Sequence, residues 1–286
     1  MENMQVSLRP IKPKDIGDCL RLSGAEGWNQ TESDWKRLVE YPKNTCRIAE
    51  YAGKIIGTAT ACNYENVIAW IGMVLVDKAY RGRGISKLLL TEILAHLDKC
   101  RSVKLDATPA GQPVYEKYGF LPEYKILRMT GQVQEGFQPL RYGRPEPVQL
   151  NQVADIINLD SQIFGAPRMQ LILSILKENP DMAWVLRKEG KVSAFSLGRK
   201  GSRYIQIGPV FSSDLSEARL LISHVLSGNP GKPFVADVLA DKAELIQWLD
   251  SIGFTSQRHF VRMYQYRNPN PGKTENQFLI CGPEFG

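Results

Sequence analysis

Residues 81–87 read Arg81-Gly82-Arg83-Gly84-Ile85-Ser86-Lys87, two glycines alternating with two arginines and followed by a lysine. Ahead of them, Met73-Val74-Leu75-Val76 is a short apolar run with the character of a buried strand. After them, Ile85, Leu88, Leu89, Ile93 and Leu97 recur at helical spacing. A strand therefore feeds a basic, glycine-rich loop, and the loop opens a helix. The first amide hydrogens of a helix lack internal partners, and that end is electropositive. Glycine, without a Cβ, lets an anion approach the main chain. Arg81, Arg83 and Lys87 add full positive charges. The expected chemistry is a cradle for a pyrophosphate. Spacing excludes two common cradles: the dinucleotide fingerprint would need a third glycine where Lys87 stands, and the Walker loop would need four residues between glycine and Gly-Lys.

A second chemical signature lies about thirty residues on, in Val114-Tyr115-Glu116-Lys117-Tyr118-Gly119-Phe120. With Val76-x-x-x-x-Arg81-Gly82-Arg83-Gly84-Ile85-Ser86 it resembles the acyl-CoA-dependent N-acyltransferases of the GNAT superfamily. Arg81 and Gly84 match that family's first motif. Ser86 stands where Gly or Ala is usual, Lys78 replaces a common proline, and Thr108 and Gly111 stand where Asn and Ala are usual ahead of the tyrosine. The resemblance covers Val6 to Met129, with a looser match after Pro147. It implies acetyl-CoA as co-substrate, bound by the backbone of Val74, Leu75 and Val76 and by Arg81, Gly82, Arg83, Gly84, Ile85, Ser86 and Lys87. It implies that the strand of Val74 to Val76 splays from the strand of Val103 to Ala107. It also implies a small-molecule primary amine that attacks the thioester directly, with Tyr115 as general acid. The rival expectation is a non-catalytic acyl-CoA-binding sensor that keeps the cradle; the phenol of Tyr115 argues for the enzyme.

No residue stands out as general base. Glu65, in a loop between two expected strands, is a candidate for the acceptor site, as are Trp28 and Asn29 in the segment that covers the acceptor in this family. Thr31 and Asp34 beside them have the spacing of a helix cap. Asp237 and the tail holding Glu284 and Phe285 are further candidates from the second half of the chain.

These residues must be positioned by elements, and the elements recur. Asp106, Gly119-Phe120 and Arg128-Met129 have counterparts in Asp237, Gly253-Phe254 and Arg262-Met263, which lie 131, 134 and 134 residues later. Gly53-Lys54 and Gly190-Lys191 mark a strand–turn–strand in each half. The expected fold is α/β with a mixed α+β sheet: two tandem GNAT-like domains, each a twisted, mostly antiparallel sheet flanked by helices. Residues 1–135 form the acetyl-CoA-binding half, 136–147 a linker broken by Gly143, Pro145 and Pro147, and 148–286 the second half. The loop's counterpart there, Val210 to Ala218, has neither arginine nor Gly-x-Gly, and Leu249 stands in the place of Tyr115. That half is expected to have lost CoA binding and to wall the acceptor site or mimic a dimer partner, with the apolar tail Phe278-Leu279-Ile280-Cys281 docked.

Composition bounds the rest. In 286 residues, 43% are hydrophobic and 23% charged, which supports a packed core and excludes wholesale disorder. A net charge of +6 without basic runs argues against a nucleic-acid partner. Five cysteines without a CxxC pair, and three scattered histidines, argue against disulfides and metal. No apolar run reaches bilayer length, and Met1 to Gln5 do not begin a secretory leader. A cytoplasmic monomer or homodimer without a membrane partner is expected.

Overall fold

The computed structural model describes residues 4–266, 268–269 and 271–286. Met1 to Asn3, part of the N-terminus read above as no leader, lie outside the described residues. The first half runs β1 (Ser7–Pro10), α1 (Ile16–Ala25), α2 (Glu32–Glu40), β2 (Thr45–Tyr51), β3 (Lys54–Tyr64), β4 (Ile68–Val76), α3 (Ile85–Leu94), β5 (Ser102–Ala107), α4 (Gln112–Glu116) and β6 (Leu121–Gln132). The second repeats that succession as β7 (Glu146–Pro147), α5 (Val153–Phe164), α6 (Met169–Glu178), β8 (Trp184–Lys188), β9 (Lys191–Lys200), β10 (Ile205–Phe211), α7 (Leu215–Ser227), β11 (Pro233–Leu239), α8 (Ala243–Ser251) and β12 (Thr255–Tyr266), then adds β13 (Gln277–Leu279).

Local chemistry accounts for the turns and starts. Ala52-Gly53 and Glu189-Gly190 both have two successive residues at positive φ, the turn geometry that matches the twist of a hairpin. Helix α2 starts at a reciprocal cap: Thr31 accepts from the Asp34 amide, and the Asp34 carboxylate accepts from the Thr31 amide. The central strands β3, β5, β10 and β11 are buried on both faces, as expected where helices cover both sides of a sheet. Trp35, Trp70, Phe164 and Phe285 pack in a core under α1, α2, α5 and α6. Leu89, Ile93 and Phe120 pack under α3, and Ile222, Leu249 and Phe254 under α7 and α8.

The thirteen strands of the described residues form one sheet in the order β1-β2-β3-β4-β5-β12-β6-β11-β13-β10-β9-β8-β7. Pairing is antiparallel except at β4–β5 and β10–β11. The two mostly antiparallel halves are thus joined edge to edge, and they exchange their sixth strands. β12 pairs with β5 from Val261↔Ala107 to Tyr266↔Ser102, while β6 pairs with β11 from Pro233↔Gln132 to Leu239↔Ile126. Both neighbours of β6 therefore come from the second half.

A fragment of residues 1–147 would leave β6 without either partner and β5 with a bare edge. We expect that fragment to be insoluble or to unfold without cooperativity, and co-expression with 148–286 to restore a soluble complex. Urea unfolding of the full chain should superimpose by circular dichroism and tryptophan fluorescence; a cooperatively folding 1–147 fragment would contradict the exchange.

Candidate active site

The site begins with a strand that leaves its neighbour. The β4–β5 ladder ends at Ile71↔Leu105, so β4 from Gly72 onward has no ladder partner on that side. On its other side the β3–β4 register shifts between Thr58 and Thr60, and Met73 has φ of 50°. This is a bulge, which bends a strand and re-aims its groups. The Thr58 and Thr60 hydroxyls hold it by donating to the Met73 carbonyl at 2.8 Å and the Gly72 carbonyl at 3.1 Å. The expected splay of Val74 to Val76 is present.

At the mouth of the splay lies the glycine-rich loop. Gly82 and Gly84 have φ of 74° and 79°, and Gly84 caps α3. No atom lies within 4 Å of a Cβ built on either, so the main chain there is open. Arg81 does not project freely: it donates to the Val76 carbonyl at 3.1 Å and to Glu26 at 2.6 Å. Arg83 lies over the Tyr80 ring at 5.6 Å, and Lys87 is exposed. Ile85 is buried against the sheet, and Ser86, one residue into the helix, reaches the adjoining cavity.

That cavity has a volume of about 230 Å³. It is lined by Met73, Val74, Ser86, Thr108 and Tyr115 and by Trp28, Gln30, Arg128, Arg258, Phe260 and Glu284. The Tyr115 ring packs edge-on against Phe120, with centroids 6.0 Å apart. Its hydroxyl finds no partner among the described residues, and burial pushes its pKa up to about 12.

The far wall is the tail. The Trp70 indole donates to the Pro283 carbonyl at 2.9 Å, Tyr64 to the Phe285 carbonyl at 2.8 Å and Arg168 to the Gly286 carbonyl at 2.6 Å. Gly72 is required for this approach, because a Cβ there would come within 3.0 Å of Glu284 Cα. Glu284 is 2% exposed. One of its carboxylate oxygens accepts from Arg199, and Arg199 also donates to Asp34 at 2.9 Å. No protein donor reaches Oε2 among the described residues.

The acceptor candidates scatter. Trp28 and Glu284 line the cavity. Asn29 is turned away, accepting from the amides of Arg203 and Tyr204 and donating to the Tyr204 carbonyl, so it ties two loops together. Glu65 is not brought to Tyr115. It lies in a separate cavity of about 480 Å³, bonded to Lys43 and Tyr41, because the β3–β4 turn projects from the opposite end of those strands. Asp237 is buried behind the cavity; it holds Arg128 through bonds of 2.7 and 2.8 Å and accepts from Gln206 at 3.1 Å. Gln30, Arg128, Arg258 and Phe260 were not singled out from sequence as site residues. The available signal was a charge inside an apolar strand, as in Leu127-Arg128-Met129.

The second half repeats the splay and fills it. The β10–β11 ladder ends at Ile207↔Ala236, the counterparts of Ile71 and Leu105. β13 then enters between them, pairing Leu279 with both Val210 and Val238. The protein's own main chain occupies the slot that stands open between β4 and β5. Among the described residues, no group of three or more His, Cys, Asp or Glu side chains is placed to hold a metal, and no helix is long and apolar enough to cross a membrane.

The open side of β4, the start of α3 and Tyr115 thus border one cavity, and comparison with known proteins shows the family. Family models described as acetyltransferase (GNAT) domains match residues 21–128 and residues 156–279. The chain belongs to the GNAT acetyltransferase family and carries two such domains in tandem. It is 25% identical over 267 residues to the holothin acyltransferase of a Pseudoalteromonas species, covering 92% of this chain and 88% of that one. The fold is similar to the crystal structure of a putative acetyltransferase from Pyrococcus horikoshii, with a TM-score of 0.80, 21% identity, and coverage of 100% and 99% of the two chains. It is also similar to a tandem GNAT protein from the clavulanic acid biosynthesis pathway, with a TM-score of 0.64, 13% identity, and coverage of 91% and 98%.

Arg199→Met should leave the Asp34 and Glu284 carboxylates facing each other in the interior. We expect a loss of about 3–5 kcal/mol of folding stability, read from the urea midpoint; an unchanged midpoint would mean that the tail is not held through Arg199.

Proposed function

We propose that this protein is an N-acetyltransferase that moves the acetyl group of acetyl-CoA to a primary amine of a small molecule by direct attack. The observation that carries the reading is the partnerless Tyr115 hydroxyl in a cavity bounded by the unpaired edge of β4 and the start of α3. Acetyl-CoA supplies a thioester carbonyl. The backbone of Val74, Leu75 and Val76, which has no ladder partner on its β5 side, holds the pantetheine arm as an added strand would be held. The open amides from Gly82 to Lys87, with Arg83 and Lys87, hold the pyrophosphate. A main-chain N–H near Val74 stabilises charge developing on the carbonyl oxygen.

The proton balance closes on Tyr115. The amine nitrogen forms the new C–N bond as the C–S bond breaks. Tyr115 gives its proton to the departing sulfur and recovers one from the nitrogen. Residues 1–135 are the catalytic half, 136–147 the linker, and 148–286 the half that supplies Glu284 and Arg258 but binds no CoA, since β13 fills its slot. We place the enzyme in the cytoplasm, acting as a monomer or homodimer without nucleic acid or membrane. The small cavity favours a small-molecule amine within a family that acts on small-molecule or protein amines.

Thiol release from acetyl-CoA, measured against a panel of amines, separates this enzyme from a CoA sensor, which would bind without turnover. Tyr115→Phe should lower kcat by about 100-fold or more while leaving the KM for acetyl-CoA within a factor of about two; unchanged kcat would remove the acid role. Because burial raises the phenol's pKa to about 12, the proton stays in place through neutral pH. Its contribution to folding is complete below the ordinary value of about 10 and is lost as the pH climbs toward the folded value. The kcat profile should therefore show no alkaline decline from this group below about pH 10.

Gly84→Glu should abolish acetyl-CoA binding in calorimetry, since it puts bulk and negative charge where the main chain is open and φ is positive. Retained micromolar affinity would refute the cradle.

A further inference from the structure

Two arginines stand side by side in the lining of the cavity that Tyr115 also lines. In the β12–β6 ladder, Ser256 opposes Met129 and Arg258 opposes Arg128, so Gln257 is the extra residue of a bulge. Without that bulge the register would turn Arg258 to the other face of the sheet. With it, two guanidinium groups lie directly across from each other, an arrangement that like charges disfavour. Both flank the Phe260 ring, at 5.1 and 5.2 Å from its centroid.

Only one of the two is answered. Arg128 has the Asp237 carboxylate through two bonds, and the remaining capacity of Asp237 goes to Gln206. Arg258 has no ion pair or hydrogen bond among the described residues, and its Nε is buried without a partner. Burial, followed by the charge of Arg128, pushes its pKa below the ordinary arginine value. A cation held in that position by a bulge, beside a second cation and without a counter-charge, is incomplete by itself. Its planar fork suits an oxyanion in bidentate contact.

The same cavity lining also carries the opposite charge. Glu284 spends one oxygen on Arg199, and no protein donor reaches the second among the described residues. One cavity thus has a carboxylate and an arginine, each with unused hydrogen-bonding capacity. Its volume of about 230 Å³ is that of a handful of water molecules, enough for an acceptor of amino-acid size.

We propose that the acceptor is an amine that also bears an anionic group, a carboxylate or a phosphate, held by Arg258 beside Arg128 while the amine lies toward Glu284 and Tyr115. This rests on the transferase reading above. Arg258 is a substrate-binding residue in this scheme, and Asp237 positions its neighbour Arg128.

The test uses the full chain with acetyl-CoA and matched amines: glycine against glycinamide, O-phosphoethanolamine against ethanolamine, and spermidine as a polycation. In at least one pair, the anionic member should exceed its uncharged partner by about 100-fold in kcat/KM, and the pair that does so distinguishes a carboxylate from a phosphate. Arg258→Gln should bring that preference to within about threefold, mainly through the acceptor KM, with the KM for acetyl-CoA unchanged. Its melting temperature should hold or rise, because an uncompensated charge has been removed; Arg258→Lys, which keeps the charge but not the fork, should fall between.

Equal or better use of the uncharged member in both pairs, or of spermidine over both anionic amines, overturns the inference and leaves the transferase reading intact. So does a preference that survives Arg258→Gln. Failure to bind or consume acetyl-CoA with any amine would defeat the transferase reading itself. If acetyl-CoA binds without turnover, glycine and inorganic phosphate are titrated into the CoA complex. Thermal stabilisation that disappears in Arg258→Gln supports the anion site, and its absence in the parent protein overturns it.

Discussion

The insertion of β12 between β5 and β6 is the constraint on which the rest of the molecule depends. It converts two sheets into one and places the central buried charges across the join. Arg262 of the second half pairs with Asp106 of the first at 2.8 and 2.9 Å. Arg128 of the first half pairs with Asp237 of the second at 2.7 and 2.8 Å. The two pairs are counterparts under the internal repeat, so each half contributes one arginine and one aspartate to the other. Such bidentate pairs have a large desolvation cost and little net stabilisation, but a misaligned strand would leave each of the four charges buried alone. Their effect is to fix the register of the exchanged strands. The cavity inherits its geometry from that register, since Arg128, Arg258 and Phe260 all project from β6 and β12.

The symmetry that builds the sheet is broken where chemistry is done. Both halves end their parallel ladder at equivalent residues, and both leave a slot. In one, β13 closes the opening with main-chain hydrogen bonds; in the other, the opening meets a glycine-rich helix start. The chain that fills the second slot then continues to Glu284 and forms the wall of the first. A single segment, residues 277–286, therefore seals one site and completes the other. Its path is held by carbonyl contacts to Tyr64, Trp70 and Arg168 and by the approach to Gly72. Arg199 gives the buried Glu284 carboxylate its ion-pair partner.

What was legible in the sequence follows from the range of the forces involved. The hairpin turns, the Thr31 cap, the strand–loop–helix around Gly84 and the tyrosine signature obey rules that span a few residues, and the structure contains each of them. The repeat was visible because Asp106, Arg128, Asp237 and Arg262 are constrained by one another. The same landmarks could not show that the pairs form between halves rather than within them. Strand exchange preserves every local pattern and alters only which strand is the neighbour. Glu65 was misplaced for a related reason: its loop adjoins the right strands, but at the wrong end. Arg258 was invisible because its direction is set by a one-residue bulge, and no periodicity announces where a register will slip.

These features divide the labour of the site along the chain. The bulge at Met73, the glycine-rich helix start and Tyr115 all belong to the first half, so the slot proposed for the acyl donor is built from local elements. The opposite wall is assembled from the exchanged strand and the tail, each delivered from more than 120 residues away in sequence. The surfaces proposed for donor and acceptor thus come from different parts of the chain. Under the proposed reading, substitutions on β12 or in residues 282–285 would alter the acceptor wall without touching the cradle or Tyr115. The second half, with its own slot closed, keeps its place in the molecule because the acceptor wall and the central register are made from it.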